Sequence, residues 1–137
     1  MNKKQLIVLA PALFVPVKGK WISEAFEYFN EGKSKLYFYT DANIGQVTDL
    51  GVKNVYFKLK GENFISAKAD FIDILEYNPD EYRLPDTKAS GKYYYGYRNL
   101  RWLFNKVALT DLQYFRTGNN LRNDIPGACI IMDPEVE

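Results

Sequence analysis

The sequence predicts an α+β domain: a curled mixed sheet, or small pseudo-barrel, of about six strands with one main helix near the N-terminus and a short late helix. Three observations carry this expectation. The chain has 137 residues, the size of one ordinary domain, and no Gly/Ser/Pro linker or internal repeat divides it, so residues 1–137 read as a single unit. Several short runs alternate in the manner of strands, separated by Gly- and Asn-containing turns. Only one stretch of any length carries apolar residues at helical spacing.

Taken in order, residues 6–9 (Leu-Ile-Val-Leu) read as a first strand, followed by a segment punctuated by Pro11 and Pro16 and ending at Gly19. Residues 21–31 read as a helix: Ile22, Ala25, Phe26 and Phe29 share one face, Glu24 and Glu27 the other, and Gly32 supplies the stop. Residues 35–40 form an aromatic strand. The polar stretch from Asp41 to Gly51 leaves the sheet. Residues 55–59 and 64–71 flank the turn Lys60-Gly61-Glu62-Asn63 and make the clearest hairpin; period-2 alternation puts Ile65, Ala67, Ala69 and Phe71 on its inward face. The same alternation sends Asp70 and Asp73 to opposite faces. Residues 78–91, with Pro79 and Pro85, form a long excursion. Residues 93–104 are a long aromatic strand with a bend at Gly96. Thr110 and Gln113 fit a capping box that opens a short helix, Thr117-Gly118-Asn119-Asn120 is a turn, and residues 128–132 close the sheet.

The composition removes much enzymology. Histidine is absent, which excludes imidazole-based nucleophile pairs and zinc sites with His ligands. A single cysteine, Cys129, leaves no internal disulfide, and its place in Ala128-Cys129-Ile130-Ile131-Met132 reads as a core thiol. No P-loop, no G-x-G-x-x-G and no H-E-x-x-H occurs, no cofactor is implied, and nothing singles out a catalytic group. The opening Met1-Asn2-Lys3-Lys4 with its apolar run superficially resembles a signal peptide, but Pro11 interrupts the run and Phe14-Val15-Pro16 stands where small residues would be cleaved. The expectation is a cytoplasmic chain with no membrane partner.

Net charge is +1, yet the charges are segregated. Residues 60–86 are acidic, residues 87–122 hold Lys88, Lys92, Arg98, Arg101, Lys106, Arg116 and Arg122 against Asp111 alone, and the tail after Asn123 is acidic again. If the basic third shares one face it attracts a polyanion; if not, it is a set of solvated charges. Both readings stand at this point.

Aromatic residues make up 16% of the chain, with eleven Tyr. In residues 93–104, Tyr93, Tyr95, Tyr97, Asn99, Arg101 and Leu103 alternate with Tyr94, Gly96, Arg98, Leu100, Trp102 and Phe104. The second set turns apolar from Leu100 onward, which places it on the core and displays tyrosines and Arg101 outward. Tyr and Arg on a sheet surface suit base stacking and phosphate pairing; a strand whose tyrosines pack under loops is the competing account. Trp21, after Lys18-Gly19-Lys20, either walls a pocket or packs in the core. Arg116-Thr117-Gly118-Asn119-Asn120-Leu121-Arg122 suits phosphate and base-edge contacts, or is a plain polar turn.

The order of elements resembles the EVE-type branch of the PUA-like superfamily, which includes ASCH and YTH domains. A helix ending in Phe29-Asn30-Glu31-Gly32 runs into Leu36-Tyr37-Phe38-Tyr39-Thr40, and Phe64-Ile65-Ser66-Ala67-Lys68-Ala69-Asp70-Phe71 follows. Leu112-Gln113-Tyr114-Phe115-Arg116-Thr117-Gly118-Asn119-Asn120-Leu121 is similar to that family's short helix and polar turn. The resemblance spans residues 21–132 and departs from the family in the insertion before Val55 and in Ser66, where a glycine is usual. It implies a cleft that accepts a modified or flipped base of RNA or DNA. The base-binding residues it points to are Trp21, Tyr39 and Trp102 as an aromatic cage, with Asp41, Asn43 and Asn119 at base edges. Lys18, Lys20, Arg98, Arg101, Arg116 and Arg122 would meet phosphate. Two other classes remain open: a protein-interaction module of inhibitor or immunity type that uses its Tyr/Arg-rich face, and a small ASCH-like hydrolase of a nucleoside.

Overall fold

A computed structural model of the chain describes residues 10–40, 47–77, 79, 82–84, 93–125 and 127–137. Among them lie six strands, β1 (Pro11–Val17), β2 (Leu36–Thr40), β3 (Asn54–Leu59), β4 (Phe64–Leu75), β5 (Tyr93–Ala108) and β6 (Cys129–Met132), and one α-helix, α1 (Gly19–Asn30). The strands form one mixed sheet in the order β2-β5-β4-β3-β1-β6. Only β1 and β3 pair in parallel, which requires a crossover between them; α1 and β2 supply it. The expected mixed α+β sheet with one main helix is observed.

The first described strand is β1, Pro11–Val17. Residues 6–9 lie outside the described residues, and the proline-punctuated segment is itself β1. Pro11 opens the strand, and Pro16 comes after Phe14, the last residue paired with β6, so both occupy positions a sheet tolerates. β1 runs between β3 and β6 and is buried on both faces: Leu13 and Val15 join one core, Ala12 and Phe14 the other.

The helix packs across one face of the sheet. Ile22 and Ala25 are buried there, with Trp21, Phe26 and Phe29 packed against the same core. Lys18 precedes the first turn without a side-chain cap. Gly32, at φ +90°, ends the helix as its amide donates to the Phe29 carbonyl at 3.0 Å, a left-handed conformation that glycine adopts without steric cost. This helix-side core gathers Leu13, Val15, Leu36, Phe38, Val55, Phe57, Ala67, Ala69, Tyr95 and Tyr97. Ala67 and Ala69 leave the room that the bulky helix face and its rings fill.

The opposite face is covered by residues 109–125. Leu109, Leu112, Leu121 and Ile125 pack there on Phe14, Tyr56, Ile65, Leu103 and Ile131. The late helix is shorter than expected, a single 3-10 turn over Leu109–Asp111. The capping box does not form: Ala108, not Thr110, precedes the turn, and no side chain caps it. The β4–β5 hairpin dictates this, because pairing continues to Ala108 and the Leu109 amide still donates to the Asn63 carbonyl at 2.9 Å.

Bulges correct the face assignments read from strict alternation. On β4, Ala67 lies opposite Phe57 and Ile65 opposite Lys58, so Ser66 is an extra residue and Ile65 turns to the far core instead of sharing a face with Ala67. Farther along, the pairing shifts between Phe71 and Ile74, and both side chains pack on the helix-side core. Asp73 is thereby returned to the face that carries Asp70.

Candidate binding surface

Strand β5 holds most of the sequence-derived candidates, and its geometry turns on Asn99. Asp70 lies opposite Arg98 and Lys68 opposite Arg101, so β5 carries one more residue than β4 over this interval. Asn99 sits at φ 57°, a left-handed conformation that Asn accepts more readily than most residues. The inserted residue reverses the alternation. Tyr95 and Tyr97 face the helix before it, and Leu100 and Trp102 face the helix after it. The expected outward row of tyrosines is therefore inside: Tyr95 is 1% and Tyr97 0% exposed.

A second irregularity follows. Ala67 lies opposite Trp102 but Ile65 opposite Val107, so β5 bows out over residues 103–106. Leu103 stays buried in the far core, whereas Phe104, expected on the core, is 92% exposed and Trp102 is 50% exposed. Trp102 stacks on Phe26 of α1, ring centroids 4.7 Å apart and planes 23° from parallel. Past Tyr97, no described strand pairs with β5 on the side away from β4.

The three cage candidates are not brought together. Trp21 is half-buried among Phe57 at 5.9 Å, Tyr97 at 6.0 Å and Phe38 at 6.5 Å, the packing account of that residue. Trp102 lies at the surface on the same side of the sheet. Tyr39 is on the opposite side, its ring 6.4 Å from Tyr94. Asp41 and Asn43 lie outside the described residues. Asn119 is exposed in the loop between Gln113 and Asn120, where its amide donates to Thr117 Oγ1 at 3.2 Å.

The phosphate candidates fall in three places. Lys18 and Lys20 are exposed at the start of α1, with Lys20 3.7 Å from Glu24 one turn on. Arg116 and Arg122 are exposed on the loop segment after the 3-10 turn, and Arg98 on β5. Arg101 is engaged inside the molecule. Its Nε donates to Glu137 Oε2 at 2.9 Å and its Nη2 to Glu137 Oε1 at 3.0 Å. Its Nη1 reaches Asp70 Oδ1 at 3.2 Å and the Asn99 carbonyl at 2.9 Å.

That contact belongs to a polar network the sequence reading missed. Residues 133–137 cross the face of the sheet opposite α1. The Asp133 amide donates to the Ala10 carbonyl at 2.8 Å, and its carboxylate accepts from Asn54 Nδ2 at 2.6 Å and Tyr56 OH at 2.5 Å. Lys68 donates to the Val136 carbonyl at 2.9 Å and to Glu137 Oε1 at 2.7 Å. The Phe104 amide donates to the Glu137 carbonyl at 3.1 Å. The segment thus reaches from beside β1 over β3 and β4 to β5. Three interstrand spacings of ~4.8 Å make about 14 Å, a span that five extended residues cover. Hydrogen bonds from Arg101 first, and from Lys68, hold the Glu137 carboxyl down at about 2. Burial, reinforced by Asp133, pushes the Tyr56 hydroxyl well up.

Burial also raises the Cys129 thiol to about 11, which disfavours the reactive thiolate at neutral pH. Near the end of α1, Gly32, Lys33, Ser34 and Tyr82 line an open depression of about 430 Å³, with Lys35 Nζ 4.7 Å from the centre of the Tyr82 ring. Among the described residues, no helix is long and apolar enough to cross a membrane. Comparison with family models and with curated proteins finds no match for this chain.

Proposed function

We propose that the chain is a nucleic-acid-binding module that stacks an unpaired or flipped base on the exposed aromatic platform of β5. The observation that carries this reading is the Phe26–Trp102 stack. Phe26 backs one side of an indole that is half open to solvent, and Phe104 stands exposed two residues on. Exposed rings on a strand are sequence-tolerant stacking sites worth about 1–3 kcal/mol per base. Exposed Arg98 and Lys106 on the same strand suit the flanking phosphates. The EVE/PUA-like fold is part of the proposal, and what supports it is the order helix, aromatic strand, hairpin and long aromatic strand within one mixed sheet. The platform replaces the cage of Trp21, Tyr39 and Trp102.

Fluorescence anisotropy against short single- and double-stranded RNA and DNA, with and without modified bases, tests the reading at two salt concentrations. Binding that weakens with salt is expected, with Trp102→Ala lowering affinity by about tenfold. Full affinity in both Trp102→Ala and Phe104→Ala removes the platform.

A protein partner is the second reading, favoured by the β5 edge that no described strand pairs with after Tyr97, beside two exposed rings, a combination that invites strand addition. Binding of that kind is insensitive to salt, and the same anisotropy series separates the two.

A further inference from the structure

Lys68 and Glu137 are unequal partners. The Lys68 side chain is 6% exposed and the Glu137 side chain 60%, so the cation lies beneath and the anion sits on top of it. Lys68 Nζ is flanked by the Tyr56 ring, 5.4 Å to its centre, and Arg101 presents the Nε–Nη2 edge of its guanidinium to the same carboxylate. A buried ammonium beside a planar guanidinium edge is a receptor for an oxyanion. A buried cation without its anion is costly, whereas an exposed carboxylate exchanges readily with water.

The segment that delivers the carboxylate is anchored at both ends: Lys68 and the Phe104 amide hold the backbone carbonyls of Val136 and Glu137. Asp133 is held by two side chains and a backbone bond. Between the anchors, Glu135 sits at φ 51°, a left-handed conformation that a non-glycine residue adopts under strain. The exposed Glu137 side chain can therefore swing away from Lys68 and Arg101 while the backbone bonds of Val136 and Glu137 stay in place.

We propose that Lys68 and Arg101 form an oxyanion-binding site that the chain's own Glu137 side chain fills in cis, and that displacement of this side chain opens the site to a ligand carrying a carboxylate or phosphate group. Asp70, 3.2 Å from Arg101, stays behind on release, so two cations then face one carboxylate and the site carries an uncompensated positive charge. The ease with which Glu137 ionises, through its bonds to Arg101 and Lys68, agrees with a pocket that favours an anion. The site does not depend on the nucleic-acid reading, since its ligand is defined by two or three acceptor oxygens and not by a base.

The test compares the full chain with Glu137→Gln, following melting temperature against added sodium phosphate or sodium acetate, with sodium chloride at matched ionic strength as the control. The variant is expected to melt below the wild type in chloride and to recover in the oxyanion, at a half-saturating concentration about tenfold lower than any response of the wild type. Recovery in phosphate alone assigns a phosphate-bearing ligand, recovery in acetate alone a carboxylate, and recovery in both a general oxyanion site. The double variant Arg101→Gln/Glu137→Gln should lose the response. Should Glu137→Gln not fold, Glu137→Asp keeps the charge on a shorter arm and should respond in the same direction more weakly. No oxyanion response beyond chloride in either variant, or an undiminished response in the double variant, overturns the proposal.

Discussion

From Tyr93 to Tyr97, β5 lies between β2 and β4, and Tyr94, Tyr95 and Tyr97 are at most 1% exposed. From Arg101 to Ala108 the same strand has β4 on one side and no described strand on the other, and Trp102 and Phe104 meet solvent. Both halves are rich in aromatic residues, so residue type does not decide the outcome. The number of neighbouring layers does. An aromatic strand is core where a second strand and a helix both cover it, and solvent-exposed where the described cover runs out.

The largest effect that can break this comparison is a pair of truncations. Tyr97→Ala removes a ring packed against Trp21, Phe29, Phe38 and Phe57 and is expected to cost about 3–5 kcal/mol. Phe104→Ala should change stability by less than about 0.5 kcal/mol. Urea denaturation of both variants measures the contrast, and similar losses would mean that the two halves are packed alike. Gly96→Ala probes the closest approach within the buried half. Its added Cβ would stand 2.6 Å from Tyr37 Cε1 and 2.7 Å from Asp73 Oδ1, where the Tyr37 hydroxyl donates to Asp73 at 2.7 Å. The expected cost is about 1–3 kcal/mol, read from the same denaturation midpoint; a neutral result would show that the Tyr37 ring can move aside. The smallest effect sharpens the comparison from within. Tyr97 OH is buried without a hydrogen-bond partner among the described residues, so Tyr97→Phe should be neutral or stabilising by up to about 1 kcal/mol. A clear loss of stability would reveal a partner for that hydroxyl.

Strand and helix existence was legible because it rests on local pattern. The face of α1 follows from Ile22, Ala25, Phe26 and Phe29, and the β3–β4 hairpin from its turn around Gly61, which indeed sits at φ +90°. Face assignment failed wherever one extra residue entered a strand. Ser66 and Asn99 each shift the period by one, so the residues before and after each of them do not share the faces that strict alternation gives. An Asn in a strand is a faint cue for a bulge, and Ser66 offers less. The proline-rich stretch 11–16 read as an interruption because the pattern does not say where β6 ends. The segment 133–137 was legible only as an acidic tail; its pairing of Glu137 with Lys68 and Arg101 joins residues far apart in sequence, and no local pattern encodes such a contact.

The pairing of β6 with β1 also bears on the order in which the molecule can assemble. β1 is the first of the described strands to be synthesised and lies between two others in the finished sheet, one of them made from nearly the last residues described. Phe14 finds Tyr56 early, but its other neighbour, Cys129, does not yet exist. Throughout synthesis of the intervening chain, the β1 edge that receives β6 stands open, a template for any extended segment that meets it. Closure of this sheet is a late event that no local helix or hairpin can hasten, and it places the protein among folds whose rate is governed by long-range contacts.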